Sequence, residues 1–197
     1  MLPLEDRLPQ ASVPSRICLV GETGSGKSTT AELLRQCAAR AGYPTRTIQL
    51  AEPLRRLQNL VYRTIGQPKP PEQQDQQLMY DLAGNIRRIR PTALVELFEA
   101  ELATVSPGTV VINADLRDHA VDAVRLRALG FYFIRVRCEP AVRRARLGLR
   151  DDLSVIDDER LFQLSAINCD LEFDNSRPGL DHIRQFCLEL LDGVPCC

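Results

Sequence analysis

The sequence contains no C-x-x-C pair, and its only two histidines, His119 and His182, lie far apart. A structural zinc site therefore has little support. No apolar run approaches the roughly 18 residues that a membrane-spanning helix needs. The first 15 residues, MLPLEDRLPQASVPS, carry acidic residues and three prolines but no apolar h-region, so they do not read as a secretory signal. They are expected to be a flexible leader. Excess charge is also missing. The formal net charge is −1, which gives no bulk argument for a polymeric nucleic acid or a membrane as partner. No Ser-His-Asp arrangement, paired-carboxylate site, guanine-reading N-K-x-D segment or internal repeat is apparent.

What is present fits one globular domain. The chain has 197 residues, 44% of them apolar and 26% charged. Seven cysteines, an odd number, sit partly within apolar segments such as Ile17-Cys18-Leu19. They are expected to be reduced, mostly buried thiols of a cytoplasmic protein. The terminal Cys196-Cys197 pair has no lipidation context and is expected to be a frayed tail.

Strand and helix patterns alternate. Strands are expected at 16–20, 45–50, 109–113, 131–136 and 171–174. Helices are expected at 28–41, 53–65, 78–86, 91–105, 120–129, 141–149, 157–167 and 180–191. The polar stretch GQPKPPEQQDQQ, residues 66–77, reads as an exposed, mobile loop. This order predicts an α/β, three-layer fold around a five-stranded parallel sheet. Its domain would span 16–197.

The strongest local signal follows the first strand. Gly21-Glu22-Thr23-Gly24-Ser25-Gly26-Lys27-Ser28, with Thr29 behind it, matches G-x-x-x-x-G-K-[ST] without a mismatch. Glycines let successive backbone N–H groups turn toward phosphate oxygens, and the helix N-terminus adds its positive dipole. Lys27 is expected to reach the β- and γ-phosphates of ATP, and the Ser28 hydroxyl to bind Mg²⁺. Asp115, just past the third strand, is the expected second support for the metal, the alternative being a helix cap.

Four segments resemble the deoxynucleoside/nucleoside monophosphate kinase family, particularly its phage-type deoxynucleoside monophosphate kinases. They are the phosphate loop, Leu50 to Arg55 (LAEPLR), Leu78 to Leu97 (LMYDLAGNIRRIRPTALVEL) and Val110 to Arg117 (VVINADLR). The family's R-F-x-N-E is here Arg117-Asp118-His119-Ala120-Val121, and the glycine after the last strand is delayed to Gly179. The resemblance implies a P-loop NTPase fold with a helical acceptor lobe at about 53–105 and an Arg-rich lid at about 141–158. It implies transfer from ATP to a phosphorylated small-molecule acceptor, a nucleotide that need not be a standard one.

Arginine suits such chemistry because its planar fork pairs with phosphate oxygens. By resemblance, Glu52, Arg55, Arg87 and Arg88 would hold the acceptor. Arg117 would serve both acceptor and transfer, and Arg143 and Arg146 of the lid helix would close over ATP. Asn175, after the fifth strand, would lie beneath the adenine. Two other readings stay open: a kinase for another metabolite such as dephospho-coenzyme A, and a P-loop ATPase or regulatory module. The oligomeric state is also open, a homodimer included.

Overall fold

The computed structural model describes residues 14–67, 74–116, 118–148 and 165–192. Within them the chain runs β1 (Arg16–Val20), α1 (Lys27–Arg40), β2 (Thr45–Thr47), α2 (Glu52–Thr64), α3 (Gln76–Ile89) and α4 (Ala93–Leu102). It continues through β3 (Val110–Asn113), α5 (Asp122–Ala128), β4 (Tyr132–Arg137), α6 (Pro140–Gly148), β5 (Leu171–Asp174) and α7 (Asp181–Leu191). The five strands form one sheet in the order β2-β3-β1-β4-β5, with every pairing parallel. The α/β, three-layer expectation is met. No described helix is long and apolar enough to cross a membrane.

Strand alternation builds two cores, one per face. On one face, Ile17 and Leu19 of β1 join Ile112, Ile134 and Val136 under α1 and α7, whose Leu34, Ala38, Ile183 and Phe186 are buried with them. On the other, Cys18 and Val20 join Val111 and Phe133 under α4 and α5, through Val95, Phe98 and Leu126. β1 and β3 are therefore buried on both sides, which is why they read as unbroken runs in the sequence. β2 is a three-residue edge strand, half-buried to exposed. It stops at Thr47, short of the expected Leu50. The chain bends away after Ile48, whose amide still donates to the Ile112 carbonyl (3.1 Å).

A smaller core of Leu54, Met79 and Leu94, with Leu82, Ala83 and Ile86 against it, holds α2, α3 and the start of α4 together. Asp75 fixes the start of α3. Its carboxylate accepts from the Leu78 amide (2.9 Å) and from the Tyr62 hydroxyl (2.6 Å), and its own amide donates to the buried Gln58 side chain (2.7 Å). This cap starts α3 at Gln76, two residues earlier than expected, because the polar Gln76-Gln77 pair falls on its exposed first turn. Residues 68–73 of the expected loop, the leader up to residue 13, most of the expected helix 157–167 and the terminal cysteines lie outside the described residues. Among those described, Cys18, Cys37 and Cys187 are buried free thiols, while Cys138 and Cys169 are half-buried.

The α2–α4 unit is also clamped to the sheet by charge. Arg87 donates to the carboxylate of Asp122 (2.7 Å), which is 1% exposed at the start of α5, and lies 3.5 Å from Asp118. Burial pushes Asp122 up to about 6 from the ordinary 3.8 of a carboxyl, although Arg87 pulls the other way. The folded protein then holds a proton that the unfolded chain releases between about pH 4 and pH 6. The charged form is a cost that is full above about pH 6 and gone below about pH 4. Asp122→Asn should therefore gain on the wild type as pH rises. Urea unfolding of both proteins at pH 4 and pH 7 should show the relative stability of the variant improve by roughly 2–3 kcal/mol. A difference that does not move with pH would refute this account of Asp122.

Candidate functional site

The loop after β1 wraps the N-terminus of α1. Gly21, Gly24 and Gly26 all have positive φ (157°, 84° and 97°). Gly26 is the left-handed residue that starts α1, and the Thr30 amide already donates to its carbonyl (2.9 Å). Side chains are excluded at these glycines for packing reasons too. A Cβ at Gly21 would stand 2.4 Å from the Val136 carbonyl oxygen, and one at Gly26 would stand 2.1 Å from Asn175 Nδ2. The loop is held tightly from below, by β4 and by Asn175, in a cradle-like turn around the N-terminus of α1.

Lys27 folds back over this cradle. Its Nζ donates to the Gly21 carbonyl (2.7 Å) and the Glu22 carbonyl (2.9 Å). Ser28 is exposed in the first turn of α1. Thr29 is half-buried beside it, while Ser25 is 1% exposed and turned inward.

Asp115 stands two residues beyond Asn113, which pairs with Cys18 of β1, so it comes level with the end of β1 and the start of the loop. Its Oδ1 accepts from the Leu50 amide and from Asn113 Nδ2 (2.9 and 2.8 Å), and its Oδ2 accepts from the Ala51 amide (2.9 Å). Asp115 thus pins the β2–α2 turn, in front of α2 rather than α5. The start of α5 is served instead by Asp118, which accepts from the Ala120 and Val121 amides (2.8 and 2.9 Å). Asp115 Oδ2 keeps a lone pair directed elsewhere, with Arg55 Nη2 at 3.9 Å.

The buried amide of Asn113 in the middle of an apolar sheet was not singled out from the sequence. It donates to the Ile48 carbonyl (3.0 Å) as well as to Asp115, so it carries the hydrogen bonding of the β2 edge to the site. The apolar run Val110-Val111-Ile112 ending in Asn-Ala-Asp was the available signal.

Glu52 and Arg55 lie at the start of α2, 3.3 Å apart, and Arg55 also bonds Gln49 Oε1. Arg56 turns outward to Glu52 (3.1 Å). Of the expected acceptor arginines, Arg88 is exposed on the last turn of α3. Arg87 is engaged with Asp122 and Asp118 as described, so its guanidinium already has a carboxylate partner. Arg117 lies outside the described residues, as does Arg150.

α6 brings its arginines to the opposite rim. Arg143 is 6% exposed and forms an ion pair with Glu22 of the loop. Its Cγ lies 2.8 Å from where a Cβ on Gly24 would be, and burial and Arg144 both lower its pKa. Arg146, one turn on, donates to Cys138 Sγ (3.3 Å) and to the Arg177 carbonyl (3.4 Å), and its Nη1 is 3.7 Å from the same point at Gly26. The i, i+3 spacing of 143 and 146 does put both on the loop face, while Arg144 is exposed.

Asn175 sits behind the loop. It is 2% exposed, donates through Nδ2 to the Ser25 carbonyl (2.7 Å) and accepts at Oδ1 from His182 Nε2 (2.8 Å). His182, in the first turn of α7, is half-buried and stacked on Phe173 at 6.0 Å. Burial, with Arg177 and Arg146 nearby, lowers its pKa. A neutral imidazole with its proton on Nε2 is the form that this contact requires. The pair joins α7 to the loop across seven residues of sequence, a turn of chain that carries no periodic signal.

No protein-family model matches the chain, and no curated protein matches it. Solved structures do. Shikimate kinase from Acinetobacter baumannii, solved in complex with shikimate, is similar with a TM-score of 0.50 at 14% identity, over 92% of this chain and 92% of that one. Shikimate kinase from Bacteroides thetaiotaomicron is similar with a TM-score of 0.50 at 18% identity, over 90% of this chain and 98% of that one. At these identities the likeness is one of architecture: the chain has the same three-layer α/β fold as these two structures.

Proposed function

We propose that this chain is an ATP-dependent phosphotransferase acting on a small molecule, and that the acceptor is a (deoxy)nucleoside monophosphate, not necessarily a standard one. The observation that carries the first part is the loop itself. Three positive-φ glycines lead into the N-terminus of α1, Lys27 folds over them, and α6 sets Arg143 against Gly24 and Arg146 near Gly26. Such a constellation fits a polyphosphate, and the exposed Ser28 fits a magnesium ligand. Bound Mg²⁺ would neutralise charge on the β- and γ-phosphates. The protein's own part is to position and to screen. Lys27 shifts from the loop carbonyls to phosphate oxygens, Arg143 and Arg146 balance charge from the α6 side, and Asp115 keeps the β2–α2 turn in register with the loop. Asn175 acts from behind by bracing Ser25, not by touching a base.

The acceptor side is supported by the resemblance of residues 50–55 and 78–97 and by Arg55, which lies at the start of α2 with Nη2 3.9 Å from Asp115. A second reading has its own support. Arg87 is committed to Asp122, and Glu52 stands beside Arg55 where it can draw a proton from a hydroxyl acceptor. A metabolite alcohol, dephospho-coenzyme A among them, is the acceptor in that case.

An acceptor screen separates the two. With ATP and Mg²⁺, the protein should turn over deoxynucleoside or nucleoside monophosphates to diphosphates, measured as ADP formed and product phosphorylated in equal amounts. Turnover confined to hydroxyl acceptors would replace the nucleotide reading. ADP release with no phosphorylated product from any acceptor would leave an ATPase and overturn both.

A further inference from the structure

Asn175 is 2% exposed in the turn after β5, and both ends of its side-chain amide have partners. Its backbone N–H donates to the Arg137 carbonyl of β4 (2.8 Å), so its main chain is fixed to the sheet. Its Nδ2 donates to the Ser25 carbonyl (2.7 Å), and its Oδ1 accepts from His182 Nε2 (2.8 Å). The place of His182 is set by packing. Its ring stacks on Phe173, Phe173 stacks on Phe186 (4.1 Å between centroids), and the neighbouring Ile183 is buried in the core.

We infer that His182 is a positioning residue for nucleotide binding: it orients the side-chain amide of Asn175, and Asn175 in turn holds the Ser25–Gly26 peptide in the orientation that a phosphate needs. This rests on the reading of the loop as a nucleotide site. A side-chain amide has a donor end and an acceptor end, and a half-turn about its last torsion exchanges them. The Ser25 carbonyl can only accept, so Asn175 grips it only while Nδ2 faces the loop. His182 selects that state, because a donor at Nε2 draws Oδ1 to its own side. Without that donor, Oδ1 is left buried and unpaired whenever Nδ2 faces Ser25. Leaving a buried acceptor unpaired costs about as much as the bond on the loop side contributes, so the grip on Ser25 is lost in a large share of molecules.

The effect reaches the loop through one peptide plane. The Ser25–Gly26 peptide is trans, so its C=O and N–H point to opposite sides. With the carbonyl turned to Asn175, the Gly26 N–H is turned away from it and is free to face a phosphate oxygen. A plane released from Asn175 can rotate, and a carbonyl oxygen in place of that N–H would repel phosphate. Gly26 makes this plane easy to turn, since it has φ of 97° and no side chain to resist rotation. The Ser25 amide, which donates to the Glu22 carbonyl (3.1 Å), steadies only the peptide before it. The hold on the Ser25 carbonyl therefore comes from Asn175, and the direction of Asn175 comes from His182.

The test is calorimetric titration of ATP with Mg²⁺ into wild type, His182→Phe, His182→Leu and His182→Gln, with thermal melting to confirm that each is folded. His182→Phe keeps a ring to stack on Phe173 but donates nothing, and His182→Leu is the second donor-free variant, either one sufficing. Each should weaken ATP about five- to twenty-fold, while His182→Gln, with a donor restored, should bind within about three-fold of wild type. In an Asn175→Ala background the step from His182 to Phe should cost under about two-fold, because the arm that it acts through is gone. Amide NMR of the free proteins gives a readout that needs no nucleotide: the Gly26 resonance should move in the donor-free variants and return toward its wild-type position in His182→Gln. Donor-free variants that bind ATP within two-fold of wild type would overturn the inference and leave the nucleotide reading standing. So would equal weakening in His182→Gln, which would make the ring a packing residue only, or an undiminished loss in the Asn175→Ala background. If wild type itself binds no ATP, the nucleotide reading falls and this inference with it.

Discussion

Lys27→Ala is expected to lower phosphoryl transfer by about 10²–10³-fold or more while leaving a folded protein. Lys27 supplies the one ammonium donated into the loop, with Nζ 2.7 Å from the Gly21 carbonyl and 2.9 Å from the Glu22 carbonyl. Those carbonyls hold it at the edge of the cradle where a γ-phosphate would sit. Loss of a preorganised donor to the transferring group removes stabilisation that exists chiefly in the transition state, so the fall should appear in kcat more than in KM. Stability should change little. The two contacts are partly buried hydrogen bonds, each with a net worth on the order of 1 kcal/mol. A melting temperature within a few degrees of wild type, with activity gone, is the expected pair of results. Activity retained within ten-fold would remove Lys27 from the mechanism.

Gly26→Ala is expected to be strongly destabilising for a single added methyl. Two costs meet there. The residue has φ of 97°, where an L side chain is strained by about 1–2 kcal/mol. The new Cβ would also stand 2.1 Å from Asn175 Nδ2, an atom fixed by the Ser25 carbonyl on one side and, through its own Oδ1, by His182 on the other. Relief requires breaking a buried hydrogen bond, at about 1–3 kcal/mol, or moving the loop. The sum is roughly 3–5 kcal/mol, enough to take away much of the stability of a domain this size. Gly42→Ala is the matched control. Gly42 has a similar φ of 85° with nothing within 4 Å of its new Cβ, so only the backbone cost applies. Urea unfolding should place G26A well below G42A, and nucleotide affinity should fall only in G26A. Equal losses would mean that the contact with Asn175 is not tight in solution.

The architecture was legible because β1 and β3, inside the sheet, are buried on both faces. Val110-Val111-Ile112 and Ile17-Cys18-Leu19-Val20 have no polar side to blur the pattern, and each helix between them keeps an apolar stripe. β2 was read too long because Ile48 and Leu50 are apolar for another reason: they fill the core after the strand has ended. The turn between β1 and α1 was legible, since its glycines are required by local backbone geometry. Charge was harder. A sequence shows that Arg87, Arg88, Arg143 and Arg144 exist, but not which will be claimed by a carboxylate. Asp122 and Glu22 are 35 and 121 residues from the arginines they hold. The hold of Asn175 on Ser25, 150 residues away, was hidden for the same reason, and Asp115 gave no sign that its oxygens would be spent on the Leu50 and Ala51 amides.

The central claim is that the amides of residues 21–29, with Lys27, form a polyphosphate cradle. Amide NMR of the full chain during titration with ATP and Mg²⁺ tests it most directly. The account predicts saturable shifts centred on Gly24, Gly26, Lys27 and Ser28, with one nucleotide bound per chain. Saturation that leaves those amides unmoved, or no saturation at all in the presence of magnesium, would contradict it.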